Sequence, residues 1–217
     1  MIHKLTLLFC LIVISAGSLL ASPADTTYKV LNDTATLNTR IRAYSKNLKT
    51  IECSFVQMKY MSVLTQPSKS NGYFCFKNPG MVRWEYDDPF KYLVIISNNR
   101  IYMKDDNKTK SYDMTSSKAF VVLTSNLGKL LQGSVFDNKS DFTCSYYEND
   151  ASYKLVLIPK VKALKSFFSS INLFFDKKLF SVSRIVMNEI KGDKTIIDFT
   201  DRKINEGVAD SKFTKPN

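Results

Sequence analysis

The stretch FKNPGMVRWEYDDPFKYLVIISNNRIYMKDD, residues 76–106, decides how the chain reads. It breaks at turn-forming residues into MVRWEY, KYLVIIS and RIYMKDD, with DDP and NN as the separators. Asp, Asn and Pro at such breaks mark tight turns between strands. Within MVRWEY the side chains alternate. Val82, Trp84 and Tyr86 fall on one face, with Arg83 and Glu85 on the other. Trp84 is the single tryptophan of the chain. The strand therefore turns an aromatic face inward, toward helices, a ligand or its own neighbours.

The same grammar extends both ways. Upstream, IECSFVQMKY and SNGYFCFKN read as a pair of strands joined by a polar loop. Downstream, DFTCSYY, SYKLVLI, SSINLFF, SVSRIVMNEI and KTIIDFTDR are further strands separated by short polar turns. Two segments break the pattern. Leu37, Ile41, Tyr44, Leu48 and Ile51 lie at helical spacing and predict one amphipathic helix over 33–48. Phe120, Leu123, Leu127, Leu130 and Leu131 predict one or two short helices over 116–132, ended by Gly133. The expected fold is mainly β with α: one long antiparallel sheet of about ten to eleven strands, which must curl or close. Helices are the natural cover for its concave side, giving a half-open barrel with a helical lid.

Lys4, the uncharged run Leu5–Ile14 and the small residues before Ala21 read as a secretory signal over 1–21, leaving 22–217 as a single domain. The net charge is +11, but the cations are scattered with no long basic run, which speaks against nucleic acid. His3 is the only histidine and leaves with the signal, so Ser-His-Asp and Cys-His nucleophiles and His-ligated zinc are excluded. The pairs Asp87–Asp88 and Asp105–Asp106 sit in turns, where Asp is favoured for local hydrogen bonding. There is no phosphate loop and no CxxC pair. The reading is a protein with no enzyme activity, no metal and no cofactor.

Cys53, Cys75 and Cys144 remain after residue 21. A hairpin loop centred on Leu64 sets Cys53 opposite Cys75, Phe55 opposite Tyr73 and Gln57 opposite Asn71. Directly opposed residues come within disulfide reach. Cys144 would remain a buried thiol.

Phe55-Val56-Gln57, Gly72, Lys77, Pro79, Arg83-Trp84, Tyr86 and Pro89 together resemble the LolA family of periplasmic lipoprotein carriers. Residues 171–213, ending at Phe213, are similar to the family's closing hairpins. The resemblance implies an incomplete barrel with a helical lid and an apolar cavity for acyl chains. It implies lipoproteins as cargo, an inner-membrane lipoprotein-releasing transporter and an outer-membrane acceptor as partners, and a monomer in the periplasm of a Gram-negative bacterium. A LolA-like binder or sensor of other envelope lipids or glycolipids is the alternative. Phe55, Phe74, Phe76, Val82, Trp84, Tyr86, Leu93 and Ile95 are expected to line the cavity, beneath a lid carrying Phe120, Leu123, Leu127, Leu130 and Leu131. The family's lid-holding arginine is replaced here by Asn78.

Overall fold

Alternating apolar positions build one continuous antiparallel sheet. The computed structural model describes residues 27–105, 108–113 and 141–216. Among them run twelve strands: β1 (Lys29–Val30), β2 (Thr50–Tyr60), β3 (Ser68–Lys77), β4 (Met81–Asp88), β5 (Tyr92–Ser97), β6 (Arg100–Lys104), β7 (Thr109–Asp113), β8 (Phe142–Glu148), β9 (Ser152–Pro159), β10 (Phe168–Asp176), β11 (Val182–Glu189) and β12 (Lys194–Ile204). Their order is β1-β8-β9-β10-β11-β12-β2-β3-β4-β5-β6-β7. The first long strand thus lies beside the last, and the sheet stays open, with β1 and β7 at its edges. The two strands outside the ten segments quoted above are short: β1 has two residues and β7 is mostly exposed, so neither carries an alternating apolar signature.

Turn chemistry sets the local geometry. Asn98 and Asn99 both adopt left-handed φ, 49° and 61°, in the two-residue loop between Ser97 and Arg100. That is the type I′ turn that suits the twist of a hairpin, and Asn tolerates it. The helix α1 (Thr34–Asn47) is capped by Asp33, whose carboxylate accepts from the Thr36 amide at 3.0 Å. Leu37 and Ile41 are buried on its inner side. A second, short helix α2 (Lys162–Lys165) precedes β10.

The inner face of the sheet, together with Leu37 and Ile41 of α1 and Leu164 of α2, forms the main core. A smaller core lies on the outer face. There Val208 and Phe213, from the C-terminal tail and its 3-10 turn Asp210–Phe213, pack with Cys75, Leu93 and Ile95. Polar ties hold this strap. Lys77 Nζ donates to the Val208 carbonyl at 3.0 Å, and Arg83 Nη1 to the Lys212 carbonyl at 3.2 Å. Lys212 Nζ reaches Glu52 and the Tyr73 hydroxyl, both at 2.8 Å.

The β2–β3 hairpin corrects the expected register. Cys53 pairs with Phe74 and Cys75 with Glu52; Phe55 pairs with Gly72 and Gln57 with Ser70. The last pair, Lys59 with Ser68, encloses an even number of residues, so the loop centre falls between Val63 and Leu64. A slip of one residue turns every side chain over. Cys53 therefore lies in the inner core and Cys75 in the outer one, and both are free. Cys144 is half-buried rather than buried. Thiol counting on denatured, unreduced protein should find Cys53, Cys75 and Cys144 all reactive. A single reactive thiol would overturn this register. In the native state Cys53 should react slowly, because burial pushes its thiol up to about 12 and only the thiolate attacks.

Candidate functional site

β2, β3, β4 and β12 bring an aromatic patch together on the inner face. Phe74 pairs with Trp84 and Phe76 with Val82, so the alternation read in MVRWEY continues across the sheet. The Trp84 ring lies 4.7 Å from Phe55 and 5.3 Å from Phe74, centroid to centroid, and 6.3 Å from both Tyr86 and Phe199. Phe55 meets Tyr86 edge-on at 5.3 Å. Such tilted and T-shaped contacts are the favoured aromatic geometries.

Gly72 makes the patch possible. It opposes Phe55 on β2 and Tyr86 on β4, beside a β-bulge between Asn71 and Gly72. A Cβ there would sit 2.0 Å from the Glu85 carbonyl oxygen and 2.6 Å from the Phe55 ring. Only a residue without a side chain lets the ring lie over the backbone at this point.

One end of the patch is polar. Tyr86 Oη donates to Gln57 Oε1 at 3.0 Å, and desolvation lifts the Tyr86 phenol above its ordinary range. Lys59, on the same face of β2, lies 3.1 Å from Glu189 with only 5% of its side chain exposed. A charge so deep is held by pairing, and it closes the apolar region at that end. At the other end α1 rests on β8–β10. Tyr146 Oη donates to Asn38 Oδ1 at 3.1 Å, and the Arg40 guanidinium stands 4.3 Å over the Phe180 ring and 3.3 Å from the Tyr153 hydroxyl. Tyr44 lies edge-on to Phe175 and Phe180. These polar and aromatic contacts at its margins add to the buried Leu37 and Ile41 in fastening the helix.

Of the expected cavity residues, Phe55, Phe74, Phe76, Val82, Trp84 and Tyr86 share the inner face. Leu93 and Ile95 do not. They pair with Glu85 and Arg83 and pack beneath the C-terminal strap, while Val94 and Ile96 oppose Trp84 and Val82. YLVII is apolar on both sides, so its alternation carries no parity; only the pairing with β4 reveals it. Phe199 was missed for the opposite reason. It alternates correctly in IIDFT, but its nearness to Trp84 depends on β12 lying next to β2. Arg83 points to the outer face, where it pairs with Glu85 at 2.6 Å. Asn78 keeps a tie to the segment joining α1 and β2: its amide donates to the Lys49 carbonyl at 2.8 Å and its side chain to the Leu48 carbonyl at 3.5 Å. The expected lid residues Phe120, Leu123, Leu127, Leu130 and Leu131 lie outside the described residues.

Among the described residues no helix is long and apolar enough to cross a membrane. The outer-membrane lipoprotein carrier protein of Pseudomonas putida (strain GB-1) is 27% identical over 175 residues, 81% of each chain. That of Coxiella burnetii (strain CbuK_Q154) is 24% identical over 176 residues, 81% of this chain and 80% of the relative. An uncharacterized conserved protein from Thermus thermophilus shares the fold with a TM-score of 0.53 at 10% identity, over 85% of this chain and 95% of that one. The family described as "Outer membrane lipoprotein carrier protein LolA" matches residues 46–216, which span the aromatic patch, strands β2 to β12 and the C-terminal strap, and the chain belongs to that family.

Proposed function

We propose that this chain binds the acyl chains of lipoproteins against its inner aromatic face and carries them across the periplasm, from the inner to the outer membrane, after export directed by residues 1–21. The observation behind this reading is the patch of Phe55, Phe74, Trp84, Tyr86 and Phe199 on the inner face of a sheet that does not close. Acyl chains are insoluble, and each methylene removed from water contributes about 0.8 kcal/mol. A carrier must also release its load. The inner face is already filled, with Phe55 and Phe74 at 1% and 0% exposure, so incoming chains displace side-chain contacts that return on release. That exchange keeps net affinity below what the buried area alone would give. α1, whose Leu37 and Ile41 pack into the same inner core, is a described element whose movement would open this face. The six inner-face residues from Phe55 to Tyr86, joined by Val94, Ile96 and Phe199, form the proposed acyl site.

A photo-crosslinking amino acid at Trp84 should capture lipoprotein in cells, and mass spectrometry of the adduct should find its acylated N-terminus. Adducts with other envelope lipids would favour a lipid binder or sensor. Crosslinks confined to the protein's own helices while cargo is present would reduce the patch to ordinary core.

A further inference from the structure

The inner face has a polar corner that the acyl site leaves unused. In β12 the pairing with β2 steps between Thr200 and Lys203, so Asp201 and Arg202 together stand opposite Cys53. Asp201 adopts a left-handed φ of 50°. A bulge of this kind re-aims the side chains that follow it. Arg202 turns inward, with 10% of its side chain exposed. Its Nη2 donates to Asp176 Oδ2 at 3.0 Å, but Nη1 is buried without a protein partner. Of the hydroxyls in that condition, two lie at the same place, Tyr44 Oη on α1 and Ser181 Oγ just before β11. All three residues line one void of about 10 Å³, whose other walls include Cys53, Val182 and Phe199.

A void of this size holds a single oxygen-sized group. Arg202 can only donate, so the group must accept. Asp176 already balances the guanidinium charge, and the space is too small for a carboxylate or phosphate. The apolar wall leads away through Phe199, whose ring stands 6.2 Å from Phe74 and 6.3 Å from Trp84. An acceptor oxygen at the head of an apolar tail matches that course. We infer that Tyr44, Ser181 and Arg202 form a binding site for one acceptor oxygen, supplied by the ester or amide carbonyl of a fatty acyl chain. The inference rests on the acyl-carrier reading and assigns that site its polar anchor.

The test is competition against a pyrene-labelled alkane, using methyl palmitate and an alkane of matched length. The wild-type protein should prefer the ester by about tenfold, the worth of one hydrogen bond to a charged donor. The double variant Tyr44→Phe, Ser181→Ala removes only unpartnered hydroxyls and should fold. Its ester preference should fall below that of the wild type, because Arg202 alone then holds the oxygen. Equal preference in both proteins overturns the site and leaves a bound water as the occupant. Failure of the pyrene-alkane itself to bind removes the carrier reading and this inference with it. Should the variant not fold, the carbonyl ¹³C resonance of labelled methyl palmitate on the wild-type protein decides. A downfield, hydrogen-bonded shift supports the site, and an unshifted resonance overturns it.

Discussion

Gly72→Ala should destabilise the protein by about 3 kcal/mol, toward the upper end for overpacking a filled site, and lower the melting temperature by roughly 10 °C for a domain of this size. The added methyl would meet the Glu85 carbonyl oxygen at 2.0 Å, and backbone on a paired strand cannot swing aside as a flexible side chain can. The Phe55 ring, at 2.6 Å, is the second obstacle. The two clashes can be separated. In a Phe55→Ala background the ring is gone but the carbonyl remains, so Gly72→Ala should keep most of its effect there. Thermal melts of the two single variants and the double variant give the cycle. A Gly72→Ala protein that melts with wild type would mean that β3 and β4 do not approach as described.

Phe213→Ala should detach the C-terminal strap. Truncating a buried phenylalanine costs about 3–5 kcal/mol. Here the loss falls on a tail that can open without the sheet unfolding, since the outer core shares no buried residue with the inner one. Cys75, fully buried in that outer core, should become accessible. Its modification by a thiol reagent should accelerate by about a hundredfold, as an opening equilibrium shifted by about 3 kcal/mol requires. Cys53, in the inner core, should hold its wild-type rate. Parallel acceleration of both thiols would show that strap and sheet open as one unit.

How much of this was legible in the sequence depends on which interaction fixed each feature. Alternation in MVRWEY placed Val82, Trp84 and Tyr86 correctly, because that strand is apolar on one side only. The Asn98-Asn99 turn was legible because few residues accept left-handed φ at two successive positions. The hairpin register was misread, although the chain held the means to fix it. Phe55, Phe74 and Phe76 can share one face only if Phe55 stands opposite an even-numbered residue of β3, as it does with Gly72. Putting it opposite Tyr73 places the phenylalanines on opposite sides. Loop centring is a weaker guide than the demand for burial. Leu93 and Ile95 went astray because a second core on the outer face makes β5 apolar throughout. That core depends on a tail more than a hundred residues away along the chain. Arg202 was beyond reach for another reason: strict alternation points it outward, and only the bulge at Asp201 reverses it.

The neighbouring positions of β2 and β12 bear on how the chain reaches this state. The strand that begins the long sheet is completed by the strand that ends it, from Tyr60 with Lys194 to Ile51 with Ile204. Hairpins such as β5–β6 can form as soon as they are synthesised. The seam joining the two halves of the sheet cannot, because its two sides lie more than a hundred residues apart along the chain. Contacts of such long sequence separation slow folding, since loop closure must precede any gain from pairing. A nascent or truncated chain lacking β12 therefore holds two half-sheets, each with a raw edge at β2 or β11. In that interval the polypeptide is unfinished as a carrier and most open to pairing with the wrong strand.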